Sequence, residues 1–154
     1  MIKYRLVFGL LFFVNLHVFS QNLDETKKNI IKSIENHEEE IIKISDKIWE
    51  LAETAFNEYE SSKLLSDYAE ANGFSLERGV AGMPTAFIAT YGQGKPVISV
   101  LGEFDALPGL SQDTTPTKKP LTEGGNGHGC GHNLFGAASL ASAIAIKEQI
   151  ENGD

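Results

Sequence analysis

Cys130 and His132 are the residues in this chain whose types and spacing most directly suggest chemistry. They sit in "GGNGHGCGHNLFG" (124–136), which holds six glycines and the only cysteine. Thiolate and imidazole both suit zinc and other first-row divalent ions. Residues two apart face opposite sides of a helix but the same side of an extended stretch. A metal shared by Cys130 and His132 therefore requires a non-helical backbone through Gly131, which glycine allows. The pair also precedes a predicted helix, whose N-terminal field favours a thiolate and disfavours a bare cation. An anionic ligand set would be needed to offset that field.

A second candidate lies upstream. "GEFDALPGL" (102–110) ends an apolar run with Glu103 and Asp105, which alternation places on one side of a strand. Acids of catalytic sites gather at the carboxyl ends of strands in α/β proteins. Either acid could instead cap the turn that follows. Three readings of the combined pattern stay open. One is a metal-dependent hydrolase. Another is a cysteine nucleophile using His132 or His128 as base. The last is a tight glycine turn with Cys130 in the core. A phosphate cradle is disfavoured because no Gly-Lys-Ser/Thr follows the glycines.

The positioning elements follow from periodicity. Apolar residues recur at helical spacing from Leu23 to about Phe56, with Asp24 as N-cap. His37 lies on this stripe. The consecutive Glu38, Glu39 and Glu40 fan around the helix, so this is read as a solvated helix and not a metal cluster. A second helix is expected over Ser61–Ala71, stopped by Gly73. Strands are expected over Ser75–Val80, Thr85–Tyr91 and Val97–Phe104, the last apolar enough to be buried on both faces. A polar loop spans Ala106–Gly129, long enough to suggest function. A final helix begins near Asn133 as cap and ends at Gly153, with small residues that permit close packing on a sheet. The pattern gives an α/β fold with a mixed central sheet flanked by helices.

The totals narrow the partners. With 13 Lys and Arg against 21 Asp and Glu, the net charge is −8. That argues against nucleic acid or an anionic membrane as partner. Residues 1–20 carry Lys3 and Arg5, then an apolar run too short to span a bilayer. They read as a signal peptide, so a secreted or periplasmic protein is expected. A single cysteine forms no disulfide within the chain, so burial or a metal must account for it. Residues 21–154 then form the remaining domain, which stops where an α/β domain would return with another strand.

"LGEFDALPGLSQ" followed by "GNGHGCGHNLFGAASLA" resembles the amidohydrolase branch of the dinuclear-metal aminoacylase and carboxypeptidase family. The match is nearest to the aminobenzoyl-glutamate hydrolase B-subunit group. "IWELAETAFNEYESSKLLSDYAEANGF" and "RGVAGMPTAFIATYG" resemble it too, so the likeness spans about residues 40–150. The resemblance implies the N-terminal part of a metallopeptidase-type catalytic domain, with the rest of that domain and an inserted dimerisation domain absent. It implies hydrolysis of an amide bond in an N-acyl amino acid or aminobenzoyl-glutamate-like compound, assisted by two divalent ions, zinc or manganese. It implies a homodimer or a partnership with a related subunit. It carries metal-ligand roles to Cys130 and His132, and an orienting, catalytic role to Asp105. Glu103 stands where related peptidases have a ligand histidine, so the resemblance assigns it no ligand role. Asn133 stands where many members have Asp, as in the aminobenzoyl-glutamate-like subgroup, and His128 falls behind the ligands. The general base and remaining ligands would lie beyond residue 154. A non-catalytic fragment or binding module is the alternative.

Overall fold

A computed structural model describes residues 2–153, with side chains from Glu25 onward. The side chains on which the signal-peptide reading of residues 1–20 rests are not described, but the N-cap expected at Asp24 is not one: α1 begins at Ile2 and runs on through it. Among the described residues no helix is long and apolar enough to cross a membrane.

The elements run α1 (Ile2–Leu51), α2 (Tyr59–Ala71), β1 (Ser75–Arg78), β2 (Phe87–Thr90) and α3 (His132–Asn152). α1 ends at Leu51 and not near Phe56, because Ala52 turns into the left-handed region at φ 44° after its N–H closes the last turn on Ile48. α2 starts two residues earlier than expected. Its first amides are capped by Glu53, whose carboxylate accepts from the backbone N–H of Glu60 and Ser61 and from the Ser61 hydroxyl. An acid at this end also meets the positive pole of the helix. β1 and β2 pair antiparallel, Ser75 opposite Thr90 and Arg78 opposite Phe87. Gly79, at φ 72°, ends β1 before the expected Val80.

α1 packs mainly on α3, with α2 against both and the hairpin laid on α2. The core joins Ile44 and Ile48 of α1, Leu65 and Ala69 of α2, Phe74, and Leu140 and Ile144 of α3. Fully burying side chains of this size is worth roughly 1.5–3 kcal/mol each. The chain is thus a mixed α and β structure, as its patterning implies.

The sheet departs from the expected mixed one. Among the described residues it has only two antiparallel strands. Val97–Phe104 forms no strand and makes no backbone ladder, and Val97, Ile98 and Leu101 stay exposed. Its far half is still held in place. Gly102 lies against Ser139 and Gly136 of α3, the Leu101 carbonyl accepts from the Ser139 hydroxyl, and Phe104 stacks on Phe87 at 6.2 Å. A continuous apolar run becomes a buried strand only when neighbours pair with it, and no described residue does.

His37 also departs from its sequence reading. It is not solvated but joins three helices. Its Nε2 lies 3.1 Å from Glu148 Oε1 on α3 and its Nδ1 lies 2.7 Å from the Tyr68 hydroxyl on α2. An ionised carboxylate only accepts, so Nε2–H donates to Glu148 and the Tyr68 O–H donates to Nδ1.

Candidate metal centre

Three segments converge beside the start of α3. The stretch 103–107 arrives from the apolar run, and its Ala106 N–H donates to the Glu53 carbonyl at 2.7 Å. Leu107 and Gly127 exchange two backbone hydrogen bonds of 3.0 Å, which ties the acidic stretch to the glycine loop. Asn126 and His128 then bond the carbonyls of Ala52 and Ile48, fixing that loop to the end of α1. The long polar segment expected over Ala106–Gly129 is irregular but pinned at both ends.

Gly131 takes φ 77° and ψ 26° as the residue before α3, the non-helical backbone that the Cys-Gly-His spacing demands. α3 therefore opens on His132. Asn133 does not cap it: its side chain is buried and donates to the Ser45 hydroxyl and carbonyl of α1. One turn beyond His132, Gly136 lets the acidic stretch approach. A Cβ there would stand 2.9 Å from the Glu103 carbonyl and 3.2 Å from Phe104 Cβ.

The result sets two carboxylates on the two nitrogens of one ring. His132 Nδ1 is 2.8 Å from Asp105 Oδ1, and Nε2 is 3.0 Å from Glu103 Oε2. Ligand atoms of Glu103, Asp105 and His132 all lie within 4.8 Å of one another. With Nδ1–H donated to Asp105, the ring has two ways to satisfy the second carboxylate. It can donate from Nε2 as well, or Nε2 and Glu103 can share a cation. Zinc-to-donor lengths of about 2.0–2.2 Å put two tetrahedral donors roughly 3.3–3.6 Å apart, so the observed 3.0 Å is that of a direct hydrogen bond, and the pair would part by a few tenths of an ångström to share a cation. Asp105 on the other nitrogen is the partner that metal-ligating histidines need for ring orientation. The two acids also answer the field at the start of α3.

Of the candidates from sequence, Asp105 and His132 are brought together, while Cys130 is exposed and stands outside the three-residue group. Glu103 joins the group although the family pattern gave it no role. The signal was its two-residue spacing from Asp105. His128 lies apart. Burial pushes its imidazole below the usual histidine range, opposed by the hydrogen bond to the Ile48 carbonyl, with His132 lowering it further and Asp105 raising it. Nε2–H donates to that carbonyl, and Nδ1 is buried without a hydrogen-bond partner. No hydrogen bond joins Cys130 to His128 or His132 among the described residues.

A cleft of about 560 Å³ lies between the last turn of α1, the 110–114 stretch and the glycine loop; His128 lines it, and Glu103, Asp105 and His132 do not.

No protein-family model matches the chain. Its sequence is 47% identical over 132 residues to the B-subunit of p-aminobenzoyl-glutamate hydrolase of Escherichia coli K12. It is 34% identical over 127 residues to thermostable carboxypeptidase 2 of Saccharolobus solfataricus, and 26% identical over 140 residues to Xaa-Arg dipeptidase of Mus musculus. These alignments cover 84%, 81% and 84% of the chain. Over most of its length the chain is thus similar in sequence to a p-aminobenzoyl-glutamate hydrolase subunit and, more distantly, to a carboxypeptidase and a dipeptidase. It spans only 27%, 31% and 29% of the lengths of those relatives.

Proposed function

We propose that this chain is the N-terminal, cation-binding part of an enzyme that hydrolyses an amide bond in an N-acyl amino acid or an aminobenzoyl-glutamate-like compound. The observation that carries the reading is the carboxylate–imidazole–carboxylate arrangement of Glu103, His132 and Asp105. In this reading His132 Nε2 and Glu103 hold a divalent ion, zinc or manganese, and Asp105 orients the ring. Cys130 turns inward across Gly131 to become a further ligand. A second ion takes its remaining ligands from polypeptide beyond Asp154, together with the general base. When bound, a divalent ion polarises a carbonyl oxygen and lowers the pKa of water. The chain's own part is to fix the ligand geometry. Asp105 keeps the Nδ1 proton, and Gly136 allows the acidic stretch to meet the ring. The Escherichia coli relative is one subunit of a hydrolase, which supports a partner subunit or a second copy as companion. Residues 1–20 act as an export signal in the same reading, and residues 21–154 belong to the catalytic domain.

Cys130 supplies the test, because it is the only cysteine and is exposed. Its reaction with a thiol reagent such as Ellman's reagent is measured in chelator, then with manganese or zinc. The expected result is rapid labelling in chelator and at least about tenfold slower labelling with metal, since a coordinated thiolate is withdrawn from attack. His132→Ala abolishes the protection. Equal rates with and without metal rule out Cys130 as a ligand. The chain alone is expected not to turn over acyl amino acids, and chelator-sensitive hydrolysis by the purified chain would contradict that.

A further inference from the structure

One apolar edge has no partner among the described residues. Val97, Ile98 and Leu101 are 80%, 73% and 72% exposed, and Val100 is exposed between them. The segment has a strand's composition but makes no backbone ladder. One end of it is fixed, since the Leu101 carbonyl accepts from the Ser139 hydroxyl and Gly102 lies against α3. A second cleft, of about 350 Å³, joins Val100 and Leu101 to the exposed Ile88 of β2. An uncharged, unpaired edge is a template for another chain, and a contiguous exposed apolar patch marks an interaction site.

The order of the residues says what fits. "VISVL" (97–101) reads apolar, apolar, polar, apolar, apolar in either direction from Ser99. Two copies laid antiparallel about a two-fold axis through Ser99 set Val97 opposite Leu101, Ile98 opposite Val100 and Ser99 opposite itself. Such a contact uses the same patch twice and closes as a dimer. Directly opposed side chains are the unit that stabilises a sheet. Charge agrees with this register. Pro96 has no N–H and ends the ladder, and just beyond it Lys95 of each copy comes opposite Glu103 of the other. Among the described residues Lys95 has no ion-pair partner, and Glu103, with its side chain 49% exposed, uses only Oε2 on His132. A shift by one residue would set Ser99 against Val100 and Lys95 against Phe104.

We propose that residues 97–101 form a self-recognition edge, which takes the same edge of a second copy of this chain in antiparallel register about Ser99. This contact involves no metal and does not rest on the amide-hydrolase reading.

Sedimentation equilibrium in chelator reads the association. The average mass is expected to rise from one chain toward two across about 10–500 µM. Ser99 is exposed, and Ser99→Asp sets like charges face to face on the two-fold axis. It is expected to weaken the dimer at least about tenfold. Lys95→Glu is expected to weaken it about threefold or more. Cross-linking by oxidised glutathione reads the register in a Cys130→Ser chain, which carries no other thiol. Ser99→Cys is expected to form a covalent dimer at least about tenfold faster than Val97→Cys. The two copies of residue 97 would lie four residues apart along the ladder, about 13 Å, beyond the reach of a disulfide. Val97→Cys mixed with Leu101→Cys is expected to cross-link as Ser99→Cys does. A chain that stays monomeric overturns the proposal and leaves the edge to polypeptide beyond Asp154. A mass increase that Ser99→Asp leaves unchanged, or equal cross-linking at 97 and 99, overturns it as well. None of these results bears on the metal protection of Cys130, so the hydrolase reading stands or falls separately.

Discussion

Asp105 and Glu103 reach His132 from opposite ring nitrogens, so replacing them has different consequences. Asp105→Asn keeps an acceptor for Nδ1–H but loses the charge that raises the ring's basicity. Such partners are typically worth 10–100-fold in metal affinity, and a competition titration with zinc or manganese is expected to show a loss in that range. Glu103→Gln removes a ligand oxygen and its charge, and the loss is expected to exceed that of Asp105→Asn. Unchanged affinity in Glu103→Gln would reduce Glu103 to a hydrogen-bond acceptor. At the opposite end of the helix pair, the carboxyl of Glu148 is held below its ordinary value by the Ser33 hydroxyl, with His37 and Lys147 assisting against burial. The Ser33 hydroxyl is buried and makes no hydrogen bond of normal geometry, so His37, 3.1 Å from Oε1, is the group that bonds the carboxylate directly. A depressed carboxyl adds stability above its unfolded pKa, about 4.5, and loses it as pH falls through the folded value. Thermal unfolding of Glu148→Gln should therefore fall furthest below the unsubstituted chain above the unfolded pKa and converge with it only as pH falls through the depressed folded value.

At the scale of elements, the centre depends on one close approach. Gly136 stands one turn from His132, and its missing Cβ is the space in which the Glu103 carbonyl and Phe104 lie. Gly136→Ala is expected to cost about 1–3 kcal/mol by overpacking, read from urea unfolding. It should also weaken metal binding, because the acids move away while His132 stays on α3. Ser142→Ala, an exposed change on the same helix, serves as control. Much of this arrangement was legible in sequence. The helix periods, the positions of β1 and β2, Gly131 as the hinge, Gly153 as the helix stop and the shared face of Glu103 and Asp105 all follow from local rules. What failed depended on distant partners. Asn133 has the right chemistry for a cap, but Ser45 lies 88 residues away in sequence and takes its amide. His37 looked solvated among glutamates because Tyr68 and Glu148 cannot be placed from its own helix. Val97–Phe104 has a strand's composition, yet composition does not supply the neighbour that a strand requires.

Over the whole molecule, the candidate ligands come from parts of the chain that meet only after folding. Glu103 and Asp105 are held through Ala106 to the end of α1 and through Leu107 to the glycine loop, while His132 belongs to α3. α1 and α3 are in turn joined near this end by Asn133 and Ser45, and far from it by His37 and Glu148. An unfolded chain presents the same side chains with no common geometry, so a cation that binds them binds the folded state selectively. Linkage then fixes the size of the effect. At a free metal concentration one hundred times the Kd, stability rises by about 2.7 kcal/mol. For a chain of this length each kcal/mol raises Tm by about 2–4 °C, so an increase of about 5–10 °C is expected with zinc or manganese and none with chelator. Glu103→Gln and His132→Ala should lose the increase, whereas Ser142→Ala should keep it. A metal-induced rise that survives in both Glu103→Gln and His132→Ala would place the cation elsewhere. No rise in the unsubstituted chain, at metal concentrations that protect Cys130, would mean that the thiol binds metal without the fold's help.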